Sequence, residues 1–489
     1  MKQEKRDRDM EQLKWYLSLQ RDLGNVLVIG KEQDIRGLAF YVEHELRADS
    51  VRVAAQDDAA TLRELIDSRQ TDTLLFDSGL AETLRELEDI RVRYLIGRVD
   101  GRDDYFGLWE SYREQAEHIY LVREREQGGG SKRDVARYEA LVWDKASSPT
   151  ELSVIVPVYN VRPYLKKCLN TLTAWRAPYV EYLIVDDGSA DGSSEIIEAY
   201  AQRDSRIRHI RKENGGCASA RNCGLRQAAG RYVGFVDGDD FVDGQMFYKL
   251  LKRAMMGNYE LAYCGYMEYD EGSRTITKIK DDCLQEPYVT GTYRADQVQR
   301  LMIRTRVAIW RCIYKRAFLE EKRIGFHEEL PRFDDLPFKM ESGFCAKSAV
   351  CVPEYLYYYR LGRAGQDVGC RDERLFVHFE IFRLLDEAVL PRKNRMLMDY
   401  LQIVKLHTHG YALGKIDRKY YASYLRMARR QLDETAGTMR TLLLMMVYGG
   451  KNNMGWYLKS RIWCNGKRME TEARGKVQNE KGGTGRCGN

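Results

Sequence analysis

The stretch from Tyr232 to Asp240, YVGFVDGDD, constrains this chain more than any other. Tyr232, Val233, Phe235 and Val236 are β-formers with no charge among them, which suits a buried strand. The run then stops at three carboxylates, Asp237, Asp239 and Asp240, set around Gly238. Acids this close repel one another, so they must either face water or be neutralised by a cation. Oxygen-only ligands favour a hard cation such as Mg2+ or Mn2+ over zinc. A strand that delivers acids at its carboxyl end also matches the place where open α/β sheets put their ligands. A solvated acidic turn is the other reading of the same nine residues.

The residues before this stretch repeat its plan. LSVIVPVYN (152–160) reads as a buried strand broken by Pro157, and YLKKCLNTL (164–172) has helical apolar spacing. VEYLIVDDGSADGS (180–193) is a second strand ending in Asp186-Asp187-Gly188-Ser189, followed by a helix over 193–203. IRHIRK (207–212) is a third strand, and ENGGCASARNCGLRQAAG (213–230) is a Gly-rich loop entering a helix. Taken alone, DDGS is also a polar Asp-Gly turn.

PVYN, DDGSADGS, NGGCASARNCGL and FVDGDD, in that order, resemble the family-two glycosyltransferases, inverting enzymes with the GT-A fold. The resemblance covers about residues 152–360. It implies an α/β GT-A nucleotide-sugar transferase domain over 151–365. It also implies that Pro157, Tyr159 and Asn160 line the base and that Asp187 accepts a hydrogen bond from it, typically from uracil N3–H. Arg221 would face the nucleotide or pyrophosphate. Asp237 would lie near ribose and metal, Asp239 on the metal, and Asp240 could share that contact. The implied cofactor is Mg2+ or Mn2+.

The chemistry agrees with such an acid cluster. Breaking the bond from anomeric carbon to phosphate leaves a diphosphate of mounting charge, which a divalent cation stabilises as a Lewis acid. The sugar passes through an oxocarbenium-like state, and a base must take the acceptor hydroxyl's proton. The family's acceptor half has Glu-Asp, an apolar residue and Phe, with the Asp as base. Here the chain reads Phe333-Asp334-Asp335-Leu336-Pro337-Phe338, so Asp335 takes the base position and Asp334 replaces the Glu. Adjacent carboxylates favour a raised pKa in one of them, which suits a general base; capping of the following helix is a compatible alternative. Where the family has Asn-Lys after Trp, this chain has Arg311-Cys312 after Trp310, so acceptor contacts do not carry over to those positions. Tyr357, Tyr358 and Tyr359 before Arg360 read as core or as cleft lining.

The implied function is inverting, metal-dependent transfer of a sugar from a nucleotide-sugar, UDP favoured, to a hydroxyl of a polysaccharide or glycoconjugate. The acceptor would be a glycan or lipid-linked. The alternative is a non-catalytic nucleotide-binding or scaffold protein built on a degenerate transferase domain. A phosphatase of the haloacid dehalogenase type fits poorly: Phe241 stands where Thr or Val is required, and three strand-and-turn units precede the acids.

Outside the resemblance, residues 1–125 read as a small α/β parallel-sheet domain. A charged helix over 1–22 is followed by candidate strands at 26–29, 51–55, 73–77, 92–96 and 119–122. No GxGxxG follows Gly30. Asp77 resembles a phosphoacceptor, but its acidic pair and lysine are missing, so a docking or structural role is expected. Residues 126–150 read as a linker, with QGGGS at 127–131 and a short helix over 132–145. Residues 366–450 read as helical and 451–489 as a basic tail. The tail holds nine Lys and Arg against three Glu, which is the whole net charge of +6. A protein that coats nucleic acid should show more than that. Within this end, NMGWYLKSRIWCNGKR (453–468) suits either a helix on an anionic membrane surface or an ordinary packed helix.

No uncharged apolar run approaches the ~20 residues of a membrane span, and MKQEKRDRDMEQ lacks the apolar core of a secretory signal. The eleven cysteines form no CxxC pair, which fits free thiols in a reducing cytosol. The expected location is cytoplasmic, with peripheral contact to the inner face of a membrane left open. His407 and His409 are two apart, so on a helix they diverge and read as structural.

Overall fold

The computed structural model describes residues 150–280, 305–363 and 369–448 without a break, residues 292, 293, 298 and 455–458, and most strands and helices between 17 and 145. The expected charged helix over 1–22, apart from Leu17, lies outside the described residues. So do Gly30, Asp77, the QGGGS linker and all of 453–468 but 455–458.

Two sheets organise the chain. The first holds β1 (Asn25–Ile29), β2 (Ser50–Ala54), β3 (Thr73–Phe76), β4 (Val92–Arg98), β5 (Ala116–Glu124) and β6 (Tyr138–Asp144), in the order β2-β1-β3-β4-β5-β6. Between its strands lie α1 (Ala59–Asp67) and α2 (Asp104–Tyr112). The five expected strands pair in parallel. The sixth is a correction: residues 138–144 were expected in a helix, yet they run antiparallel to β5. The alternation in YEALVWD explains it, because Leu141 and Trp143 turn into the core while β5 supplies a free edge.

The second sheet takes β7 (Leu152–Val158), β8 (Val180–Asp186), β9 (Ile207–Arg211), β10 (Tyr232–Phe235), β11 (Phe241–Val242), β12 (Leu261–Asp270), β13 (Ile276–Lys278), β14 (Thr292–Tyr293), β15 (Cys312–Lys315) and β16 (Ala349–Leu361). Its helices are α3 (Arg162–Leu172), α4 (Ser193–Ala201), α5 (Gly216–Gln227), α6 (Met246–Met256), α7 (Arg316–Lys322) and α8 (Asp335–Cys345). The path β10-β7-β8-β9 is parallel, with Phe235 opposite Ile155 and Pro157 opposite Val185. Parallel strands in this register bring the ends of β7, β8 and β10 to one edge. There PVYN, DDGS and DGDD converge. Beyond β10 the sheet turns antiparallel through β15 and continues to β12, β16 and β11.

The two sheets share one apolar core. Trp109 meets Tyr179 edge-on at 4.9 Å between ring centroids, and Trp143 Nε1 donates to Glu151 Oε1 at 2.5 Å. The C-terminal helices are α9 (Val377–Val389), α10 (Arg395–Lys415) and α11 (Arg418–Tyr448). They pack against α8: Leu336, Met340 and Phe344 lie with Ile381, Phe382 and Leu385 in one buried cluster. His409 is fully buried there, sharing the Tyr424 hydroxyl with His378. Among the described residues, no helix is long and apolar enough to cross a membrane.

Candidate active site

Each loop at the common edge is shaped by local chemistry. In DDGS, Gly188 sits at φ 78°, where a side chain would be strained. Asp186 turns back to accept from the Ser189 N–H at 2.8 Å, leaving Asp187 to point onward. Asn160 also holds a left-handed φ of 52°, which Asn tolerates. Its Oδ1 accepts from the Ala190 N–H at 2.9 Å, and its N–H donates to Ser189 Oγ, so the PVYN and DDGS loops are clasped. Tyr159 stands 53% exposed beside them. In DGDD, a Cβ on Gly238 would lie 3.1 Å from the Pro157 carbonyl oxygen, so glycine lets the acidic turn close on β7.

α5 links two charge clusters. At its start the buried Asp187 carboxylate accepts from Lys212 Nζ at 2.6 Å, from Gly215 N–H at 3.0 Å and from Gly216 N–H at 2.8 Å. The Gly215 N–H also reaches Oδ2 at 3.2 Å, so all of the about four acceptor positions of this carboxylate are engaged. Five residues on, about 7 Å along the helix axis, Arg221 is buried and forks between two acids. Its Nη2 donates to Asp237 Oδ1 at 2.6 Å and its Nη1 to Asp334 Oδ2 at 2.7 Å. Residues 237 and 334 are thereby joined through one guanidinium.

Asp334 and Asp335 enter this cleft from the loop before α8. Phe333 adopts φ 55°, an uncommon conformation for an aromatic residue, and its ring lies 5.2 Å from that of His378 in α9. Asp334 does not cap α8; its side chain is turned to Arg221 instead. Asp335 is the first residue of α8 and only partly exposed. Burial, with Asp334 beside it, pushes its carboxyl up to about 7 against the pull of Arg221. It can therefore take up a proton near neutral pH.

The three acids of DGDD have different surroundings. Asp240 is fully buried: Oδ2 accepts from the Tyr357 hydroxyl at 2.7 Å and Oδ1 from the Arg360 N–H at 2.7 Å. The Tyr357 hydroxyl in turn accepts from the Asp237 N–H, and Arg360 Nε donates to the Asp239 carbonyl at 2.6 Å. Tyr357 and Arg360 thus hold the shape of the turn. Asp239 pairs with Arg363. Burial and the charge of Asp237 push its carboxyl up, while Arg363 pulls it down. Asp240 is raised further, by burial first and then by Asp239 and Asp237.

The donor set fits a hard divalent cation only in part. Among the described residues, no group of three His, Cys, Asp or Glu forms a ready-made cage. Asp237 and Asp239 are the oxygen donors that could hold such a cation, and Mg2+ is commonly held by one or two carboxylates plus substrate phosphates. Burial first and the charge of Asp237 second raise the Asp239 carboxyl, and a cation in place of Arg363 would offset both as Arg363 does now.

Sequence reasoning missed Lys212 and Arg363. Lys212 directly follows β9, whose end lies at the same edge as Asp187. Arg363 comes three residues after the Tyr-Tyr-Tyr-Arg run, and nothing local marked it. Trp310 is buried, stacked on Tyr357 at 4.1 Å and on Tyr359 at 5.3 Å, and Arg311 is buried against Tyr266.

Residues 153–321 match the family model for glycosyl transferase family 2. The chain is 35% identical over 212 residues to the uncharacterized glycosyltransferase EpsJ of Bacillus subtilis, covering 43% of this chain and 60% of that protein. It is 32% identical over 184 residues to the "putative teichuronic acid biosynthesis glycosyltransferase TuaG" of B. subtilis, covering 34% of this chain and 73% of TuaG. Among solved structures, residues 1–349 of Staphylococcus aureus TarS, in complex with UDP-GlcNAc, superpose with a TM-score of 0.50 at 21% identity. That likeness covers 65% of this chain and 92% of the TarS chain, and it concerns the fold. The chain spans about 60% of the length of EpsJ.

Proposed function

This chain belongs to glycosyl transferase family 2, and from that premise we propose that it is an inverting, metal-dependent transferase using a nucleotide-sugar donor. The acceptor would be a hydroxyl of a polysaccharide or other glycoconjugate, free or lipid-linked. The observation that carries this reading is the Arg221 fork, which ties Asp237 of the acidic turn to Asp334 beside Asp335. A donor held at one acid and a base beside the other then share one cleft. UDP is favoured as the nucleotide, because TarS is found with UDP-GlcNAc.

In this reading Pro157, Tyr159 and Asn160 receive the base, and the Asp187 carboxylate takes its N–H in place of the longest of its present bonds, the one from Gly215 at 3.2 Å. Asp237 and Asp239 would hold Mg2+ or Mn2+, which would supply Lewis-acid stabilisation of the departing diphosphate. Asp240, already engaged by Tyr357 and Arg360, supports the turn. Arg363 releases Asp239 and is free to pair with diphosphate oxygens, as a planar guanidinium does well. Asp335 takes the proton of the attacking hydroxyl, and Asp334 with Arg221 fixes the loop that carries it. Displacement by a single attack opposite the leaving group inverts the anomeric centre.

The test is a thermal-shift panel of nucleoside diphosphates with Mn2+, Mg2+ or EDTA, on the wild type and Asp239→Asn. Ligand binding raises the melting temperature by mass action. A metal-dependent shift with UDP that is lost in the variant supports the donor site. No shift with any nucleotide overturns it. The anomeric configuration of the product, read by NMR, tests inversion.

A further inference from the structure

The helical region presents an apolar surface that contains none of the residues assigned to the candidate active site. Gly437, at φ 67° and ψ 163°, breaks α11 into two helices. The second, residues 438–448, reads TMRTLLLMMVY. Its inner face is buried through Thr441, Leu444 and Met445. Leu444 joins Val389 of α9 and Leu397 of α10 in one cluster, and Arg440 is clamped to Asp399. The outer face is apolar as well: Met439 is 80% exposed, Leu443 44% and Met446 67%. Positions spaced by four and three residues share one face of a helix. Leu390, where α9 gives way to α10, is exposed at the same end of the bundle. A surface helix that is apolar on both faces needs a partner for the outer one.

Charge indicates which partner. Lys393 and Arg395 are exposed in the turn entering α10, whose Leu397 shares a buried cluster with Leu444. The acids nearby are engaged: Asp399 by Arg440 and Glu387 by Arg383. The chain beyond α11, residues 449–489, carries nine Lys and Arg against three Glu. A second copy of this face would set like charges against each other. An anionic bilayer supplies hydrocarbon for Met and Leu and opposite charge for Lys and Arg.

We propose that Met439, Leu443 and Met446, flanked by Lys393 and Arg395, form a docking face for an anionic lipid bilayer. The helix lies along the interface with its outer stripe in the acyl boundary. Arg440 stays with Asp399, and the basic segment beyond 448 adds long-range attraction. This inference rests on exposure and charge rather than on the transferase reading, and binding tests it without any donor or acceptor.

The experiment is co-sedimentation of the full chain with phosphatidylcholine vesicles containing about a third phosphatidylglycerol, and with phosphatidylcholine alone. The wild type should bind the anionic vesicles, and binding should weaken as salt rises. The triple variant M439E/L443E/M446E should lose about tenfold or more in apparent affinity, and K393E/R395E a smaller factor. These side chains are exposed, so an unchanged far-UV spectrum and melting temperature show that both variants fold. Failure of the wild type to bind anionic vesicles overturns the proposal. Equal binding by the triple variant also overturns it, because the tail alone would then account for attachment. A wild-type dimer by light scattering that becomes monomeric in the triple variant, with no vesicle binding, assigns the face to a second copy and overturns it too.

Discussion

Asp335→Asn should cut turnover steeply and, at the same time, make the folded protein more stable at pH 8. The carboxyl is pushed from its ordinary 3.8 up to about 7, by burial first and by Asp334 second. An unfolded chain gives up this proton near the ordinary value, whereas the fold keeps it to about 7. Between those limits unfolding releases a proton, so stability falls as pH rises through the window and levels off above it. Holding a proton across that interval corresponds to about 4 kcal/mol at most, at about 1.36 kcal/mol per pH unit. Part of Asp335 faces the cleft and is screened by water, so about 2 kcal/mol is the working figure. Asn carries no such proton. Its advantage over the wild type should be near zero at pH 4, grow to about pH 7 and stay constant beyond. Urea melts of both proteins at pH 4, 6 and 8 measure this. Release of nucleoside diphosphate in the presence of acceptor measures turnover, which should fall by about a thousandfold or more for loss of a general base. Nucleotide binding should persist. Wild-type turnover should itself rise with pH to a plateau above about 7 as Asp335 ionises. Undiminished turnover in the variant would refute the base assignment. A stability difference that does not grow with pH would refute the claim that the fold strains this carboxyl.

Arg221→Met should cost about 3–5 kcal/mol of stability by urea melting, because it leaves Asp237 and the buried Asp334 without their guanidinium; Arg221→Lys should recover only part, since one ammonium cannot reproduce the fork. Tyr357→Phe removes the hydroxyl between the Asp237 N–H and Asp240 and should cost about 1–3 kcal/mol, with weaker metal-dependent UDP binding by calorimetry. Arg363→Gln should tighten Mn2+ binding in the absence of nucleotide, because Asp239 loses its competing cation, yet weaken UDP binding in its presence; tighter binding of both would show that Arg363 only blocks the site.

The sequence by itself determined the strand-and-helix order of residues 152–240 and the acids that end its strands. Those features are local: an uncharged β-forming run cannot be left in water, and its period decides which residues turn inward. Three loops had to meet once β7, β8 and β10 paired in parallel, and the pattern of the runs implied that pairing. Tertiary structure alone decided who neutralises whom. Arg221 meets an acid 113 positions away, and Arg363 reaches Asp239 across 124. No local periodicity encodes such contacts. Asp240 looked like an equal member of the acidic turn until the fold buried it against Tyr357 and Arg360. The strand over 138–144 was misread because only the free edge of β5 makes that segment extended. The exposed stripe on the last helix was hidden for the converse reason. Met439, Leu443 and Met446 look like core residues in sequence, and only the packing of Thr441, Leu444 and Met445 shows that the core lies on the other face. Burial is a property of the packed chain, and hydropathy supplies only its candidates.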